Sequence, residues 1–93
     1  MNIYNEKNSE GLKIFVEIGG ETKEYKFSSE VIESVKDIDL YCIQQTDKIR
    51  NELKEFYFPV SPGKRSKLMN HIVGSLKDYH RTLMSPVEYK FVR

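Results

Sequence analysis

The chain contains no alanine and no tryptophan, a single cysteine, three prolines, and no apolar run longer than a few residues. Each shortage excludes something. One cysteine, Cys42, leaves no internal disulfide, and no Asn-x-Ser/Thr sequon occurs. Both absences fit a reducing compartment, so a cytoplasmic location is expected. No stretch approaches the ~20 apolar residues of a membrane-spanning helix, so no membrane partner is expected. The opening residues, Met1-Asn2-Ile3-Tyr4-Asn5-Glu6-Lys7, hold no apolar segment of the signal-peptide kind. The missing alanine, beside plentiful Ile, Lys and Asn, reflects an AT-rich coding sequence and carries no mechanism.

Catalytic and metal-binding patterns are missing as well. His71 and His80 are nine residues apart, about 180° on a helix, and cannot ligate one ion from one chain. Cys42 falls inside an apolar stripe and reads as a small buried hydrophobe rather than a ligand, so neither a metal nor another cofactor is expected. Gly63-Lys64-Arg65-Ser66 invites comparison with a phosphate loop. That motif needs a glycine where Phe58 stands and Ser or Thr where Arg65 stands, and no strand leads into it. Glu30, Glu33 and Asp37 form an acidic stripe with no further acid or histidine placed to close a site, and read as a solvated face. No Gly-x-Ser-x-Gly elbow is present. No catalytic residue is expected, and the chain reads as a non-enzyme.

What remains is a 93-residue sequence, 39% hydrophobic and 31% charged, of a size and balance that fit one globular domain. Residues 1–10 are polar and expected to be loose, with a single domain over 11–93. From Leu12 the pattern alternates, with Leu12, Ile14, Val16 and Ile18 on one side, which is the period of a strand. Gly19-Gly20 tolerates the positive φ of a tight hairpin, and a return strand follows to Phe27. A two-residue loop pairs Ile18 with Glu21 and Leu12 with Phe27; a four-residue loop pairs Ile18 with Lys23. Both place Tyr25 and Phe27 on the Leu12 face.

Ser28 and Ser29 supply a helix N-cap, and a helix is expected from there to about Tyr57. Its stripe is Val31, Val35, Ile38, Cys42, Ile49, Leu53 and Phe56, interrupted by Gln45 and widened by Ile32 and Ile43, with Leu40 and Tyr41 outside it. Such a helix would reach roughly 42 Å at about 1.5 Å per residue, longer than a domain of this size. Either it breaks near Lys36-Asp37-Ile38-Asp39, or its overhang packs on a second copy; exposed Leu40 and Tyr41 tilt the expectation to a homo-oligomer. Pro59, Pro62 and Gly63 end that helix. A second helix from Lys64 or Arg65 to Leu83 has Leu68, Met69, Ile72, Leu76, Tyr79 and Leu83 on its core face, and Val87–Val92 alternates as a last strand. The expected fold is α+β in the order ββααβ: a three-stranded, mainly antiparallel sheet with an antiparallel helix pair on one face.

Charge is unevenly spread. Residues 28–58 carry a net −3 and residues 59–81 a net +4. On the second helix Lys67, Asn70, Gly74, Lys77 and Arg81 step by three and four residues and align opposite the core face. Lys and Arg neutralise phosphate, Asn can read a base edge or a phosphate oxygen, and Gly74 lets a groove wall approach. Lys64 and Arg65 extend this patch around the helix start, where free N–H groups favour an anion. The leading expectation is therefore a small binding or regulatory protein that engages nucleic acid through Lys64, Arg65, Lys67, Asn70, Lys77 and Arg81. The alternative is an inhibitor or adaptor of a protein target, acting through Leu40, Tyr41, Tyr57 and a free strand edge. A third reading is a nucleotide or small-anion binder at an oligomer interface, using Arg65, Lys67 and Arg81 with a tyrosine for stacking.

Overall fold

The alternating segment from Leu12 and the Gly19-Gly20 pair do form a hairpin in the computed structural model, which describes residues 1–56 and 62–84. Strand β2 (Gly11–Ile18) pairs antiparallel with β3 (Glu21–Ser28), and the turn glycines adopt φ 58° and 84°. Of the two registers, the two-residue loop is found: Ile18 opposes Glu21 and Leu12 opposes Phe27. Leu12, Ile14 and Val16 are almost fully buried, and Phe27 and Tyr25 pack beside them. At the far end of the hairpin a Cβ on Gly11 would lie 2.7 Å from the Phe27 carbonyl oxygen, so the close pairing of β2 and β3 there depends on glycine.

The third strand comes from an unexpected place. Residues 2–7, expected to be loose, form β1 (Asn2–Lys7), which pairs antiparallel with β2 from Asn2↔Glu17 to Lys7↔Leu12 and gives the sheet order β1-β2-β3. Only Ile3 of this strand is drawn towards the core, so the segment lacks the period-2 apolar signal. It is ordered instead by backbone pairing with β2, by Tyr4 stacked on Phe15 on the outer face (centroids 5.0 Å apart), and by polar contacts to a helix on the inner face. The strand expected over Val87–Val92 lies outside the described residues.

Of the two outcomes that its length allows, the long first helix breaks, at residues 34–37 beside the Lys36–Asp39 stretch. Ser28 caps α1 (Ser29–Glu33) by accepting the Val31 N–H at 3.1 Å, and the helix then stops. The Ser34 hydroxyl turns back onto the Val31 carbonyl at 2.7 Å, and Asp37 starts a new helix by accepting the Leu40 N–H at 3.1 Å. That helix is α2 (Ile38–Phe56). Ser and Asp hydrogen-bond locally to backbone and so favour caps over helix interiors, which is why the break falls where it does. Because α1 and α2 are not one helix, their faces are out of phase. Ile32 is fully buried while Val31 is 48% exposed, the reverse of the continuous stripe. Within α2, Thr46 rather than Gln45 takes the inward position, its hydroxyl satisfied by the Cys42 and Ile43 carbonyls at 2.9 and 3.1 Å.

The third helix, α3 (Pro62–Leu83), begins with proline at its first helical position, where no N–H is missed. Leu68, Met69, Ile72, Leu76 and Tyr79 are buried and Leu83 packs against the core, as the 3.6-residue period predicts. Helix α3 is the centre of the helical layer, touching α1, α2 and β2. Its two flanks differ. On one side α2 runs antiparallel to it, with Asp39 at the start of α2 paired to Lys77 at 2.9 Å. On the other it meets β1 through a polar seam. The Asn5 side-chain amide joins His71 Nε2 (2.8 Å) and the Ser75 hydroxyl (2.9 Å), Lys7 lies 3.5 Å from Asp78, and the Tyr79 hydroxyl donates to the Asn8 carbonyl at 2.7 Å.

Candidate anion-binding surface

The basic residues of α3 do not form one uniform patch. Lys67, Asn70, Gly74, Lys77 and Arg81 are all exposed, on the side of α3 turned from the core. Their electrostatic states differ. Lys77 is held by Asp39, and that hydrogen bond and the carboxylate charge push its ammonium pKa up. Arg81 pairs with Asp78 one turn back at 3.1 Å. The C-terminal half of the stripe is therefore self-neutralised in the free protein. Neither Arg65 nor Lys67 has an ion pair among the described residues.

Arg65 stands apart from the stripe. It is seven residues before Ile72, two helical turns, and so shares the inward-facing row of the core residues. It is half-buried at the start of α3. There it meets a residue that sequence reasoning missed. Arg50 of α2 lines, with Arg65, Ser66, Met69 and Asn70, one open cleft of about 430 Å³. Arg50 is steadied by Asp47 on its own helix, Nη1 to Oδ1 at 3.0 Å. It was legible only through topology: antiparallel α2 and α3 bring the second half of one beside the first turns of the other.

Other candidates are dispersed. Arg65 and Arg81 lie 16 residues apart on one helix, roughly 24 Å, so the nucleotide site built from both with Lys67 does not converge. Leu40 is half exposed, Tyr41 packs against the core with burial raising its phenol pKa, and Tyr57 lies outside the described residues. The outer sheet face has two stacked aromatics, Tyr4 and Phe15, but they sit among Glu6, Glu17 and Glu24 as well as Lys13 and Lys26, several of them in ion pairs. Such mixed charge does not attract a polyanion. Among the described residues no His, Cys, Asp and Glu side chains cluster as metal ligands, and no helix is long and apolar enough to cross a membrane. No protein-family model, curated protein or solved structure matches the chain.

Gly74 tests the outer face of α3 directly. A Cβ there meets nothing within 4 Å, so the residue is not required for packing. Gly74→Ala is expected to stabilise the free protein by about 1 kcal/mol through helix propensity. Urea unfolding measures this, and an unchanged or lower midpoint would contradict the open environment. If a groove wall rests on this face, the same variant binds its partner more weakly while folding more stably.

Proposed function

We propose that this is a small non-catalytic binding protein that engages an anionic partner, nucleic acid foremost, through the first turns of α3 and the cleft beside them. The observation that supports this most is the meeting of Arg50 with Arg65, Ser66 and Asn70 around one open cleft, with Lys67 on the adjoining surface. Guanidinium, hydroxyl and amide donors suit phosphate oxygens, and of the two guanidiniums only Arg50 has a carboxylate partner, Asp47 on its own helix. Lys77 and Arg81 lie about two and three turns past Asn70 on α3, outside this cleft, and contribute less than the sequence stripe implies.

Fluorescence anisotropy with labelled single-stranded and duplex oligonucleotides, between about 50 and about 200 mM salt, tests the reading. Affinity is expected to fall with salt at a slope near 0.9 per phosphate contact on duplex DNA and about 0.7 on a single strand. Replacing Arg65 and Lys67 together by glutamate is expected to weaken binding roughly tenfold or more at the lower salt and to flatten the slope. Binding that is absent, or indifferent to both changes, would overturn it.

A protein partner is the second reading, favoured by Leu40 and Ile43, which lie one turn apart on α2 at 50% and 57% exposure. Large apolar side chains at such exposure are hot-spot material when they meet a partner. Leu40→Asp with Ile43→Asp should abolish a protein contact and leave oligonucleotide binding intact. For self-association the break between α1 and α2 removes the overhanging helix, while Leu40 stays half exposed.

A further inference from the structure

The cleft between α2 and α3 is chemically unlike the outer face of α3. On the convex face cations stand singly along the helix, a spacing suited to successive phosphodiesters of one charge each. In the cleft two guanidiniums from two different helices line the same concave space, and among the described residues none of the lining is acidic. Arg65 is the unusual member. It occupies the inward row of α3 and is half-buried, yet it makes no hydrogen bond or ion pair among the described residues. A guanidinium has five N–H donors, and leaving them unmet in a half-buried position is unfavourable. Arg50 commits one nitrogen to Asp47, which fixes the side chain while its other donors stay available. Ser66 and Asn70, four residues apart on one side of α3, add neutral donors, and Met69 adds an apolar surface.

A phosphodiester carries one negative charge, whereas a terminal phosphate monoester approaches two at neutral pH and has three free oxygens. Two forked guanidiniums with a hydroxyl and an amide match the second group in donor number, with Arg65 as the uncompensated charge and Arg50 sharing its own with Asp47. We propose that the cleft receives the terminal phosphate monoester of a nucleic-acid strand, with Arg50 and Arg65 as the charge-bearing contacts and Ser66 and Asn70 completing the hydrogen bonds. The inference rests on the nucleic-acid reading above and makes that reading specific to strand ends.

The test compares oligonucleotides of one sequence carrying a 5′-phosphate, a 3′-phosphate or hydroxyls at both ends, each labelled away from the end in question. A phosphorylated end is expected to bind about tenfold more tightly than its hydroxyl counterpart. Arg65→Met and Arg50→Met, each checked for an unchanged unfolding midpoint, should weaken the phosphorylated strand more than the hydroxyl-ended one, so that the two bind alike. Lys67→Met should weaken all strands alike and keep the preference. Equal binding of phosphorylated and hydroxyl ends, or a preference that survives both arginine changes, overturns the inference and leaves general nucleic-acid binding standing. Displacement of a bound strand by a nucleoside monophosphate at equal concentration assigns the cleft to free nucleotides and overturns the strand-end assignment. No binding of any strand overturns both proposals.

Discussion

Truncating Tyr79 to alanine is expected to destabilise the protein by about 3–5 kcal/mol, a large part of the stability of a domain this size. The residue is fully buried and is the largest such side chain among the described residues. It fills the junction of α3 with the β1–β2 turn, and its hydroxyl reaches the Asn8 carbonyl at 2.7 Å. Asn8 in turn accepts the Glu10 and Gly11 N–H groups through its side chain, at 2.8 and 3.2 Å, so the anchored carbonyl belongs to a turn that holds its own shape. Tyr79→Phe keeps the ring and loses the hydroxyl with its hydrogen bond to Asn8, and should cost about 1 kcal/mol. Urea unfolding with an unchanged slope separates the two; equal losses would mean that the ring does not fill the core. The hydroxyl also sets a pH limit. Burial raises the phenol pKa of Tyr79 above 10.0 and, less specifically, the Tyr41 phenol and the Cys42 thiol above their usual 10.0 and 9.0. Each group stays protonated longer folded than unfolded, so stability is intact below pH 9 and falls as the pH rises through 9 and 10 towards the folded values. Tyr79→Phe should soften that alkaline loss, and an identical loss in the variant would exclude Tyr79 as a contributor.

Ile32→Ala is expected to cost about 2–5 kcal/mol, whereas Val31→Ala, one residue away, should cost no more than about 0.5 kcal/mol. Ile32 is the buried residue of α1, a helix of five residues that has no independent stability. Removing its side chain takes away the apolar anchor that holds α1 against α3, β2 and β3. Val31 faces outward at 48% exposure. A continuous helix carrying the Val31–Val35–Ile38 stripe inward would give the opposite ranking. Paired unfolding curves of the two variants therefore decide whether the chain breaks at residues 34–37.

The hairpin and the second long helix were readable because each carries a periodic apolar signal that matches its own geometry: period 2 from Leu12 to Ile18, and Leu68 to Leu83 at three- and four-residue steps. The strand at Asn2–Lys7 was not, because its order comes from partners rather than from its own side chains. Asn5 and Lys7 read as loop residues until α3 supplies His71, Ser75 and Asp78. The break after α1 left a trace in Ser34 and Asp37, both of which prefer caps, but apolar periodicity ran through it without interruption. The candidate site was half legible. Arg65 and Asn70 were singled out by type, while Arg50 lay in a helix read as acidic and joined them only through antiparallel packing. Lys77 and Arg81 matched the stripe by spacing, yet spacing says nothing of the carboxylates that reach them from Asp39 and Asp78.

The seam between β1 and α3 bears on how the molecule comes together as it is made. Asn5 waits for a partner 70 residues downstream, and the Asn8 carbonyl for one 71 residues away. Hydrogen bonds of that separation form only after a long loop has closed, which is slow compared with a hairpin. During synthesis β1 leaves the ribosome before α3, and its inner face cannot be completed until α3 has emerged. Until then the Leu12–Ile18 strand holds its apolar face without the helix that covers it. Strand β1, translated well ahead of α3, is thus among the last elements to be secured, and the interval before α3 arrives is when the nascent chain is most open to pairing with the wrong neighbour.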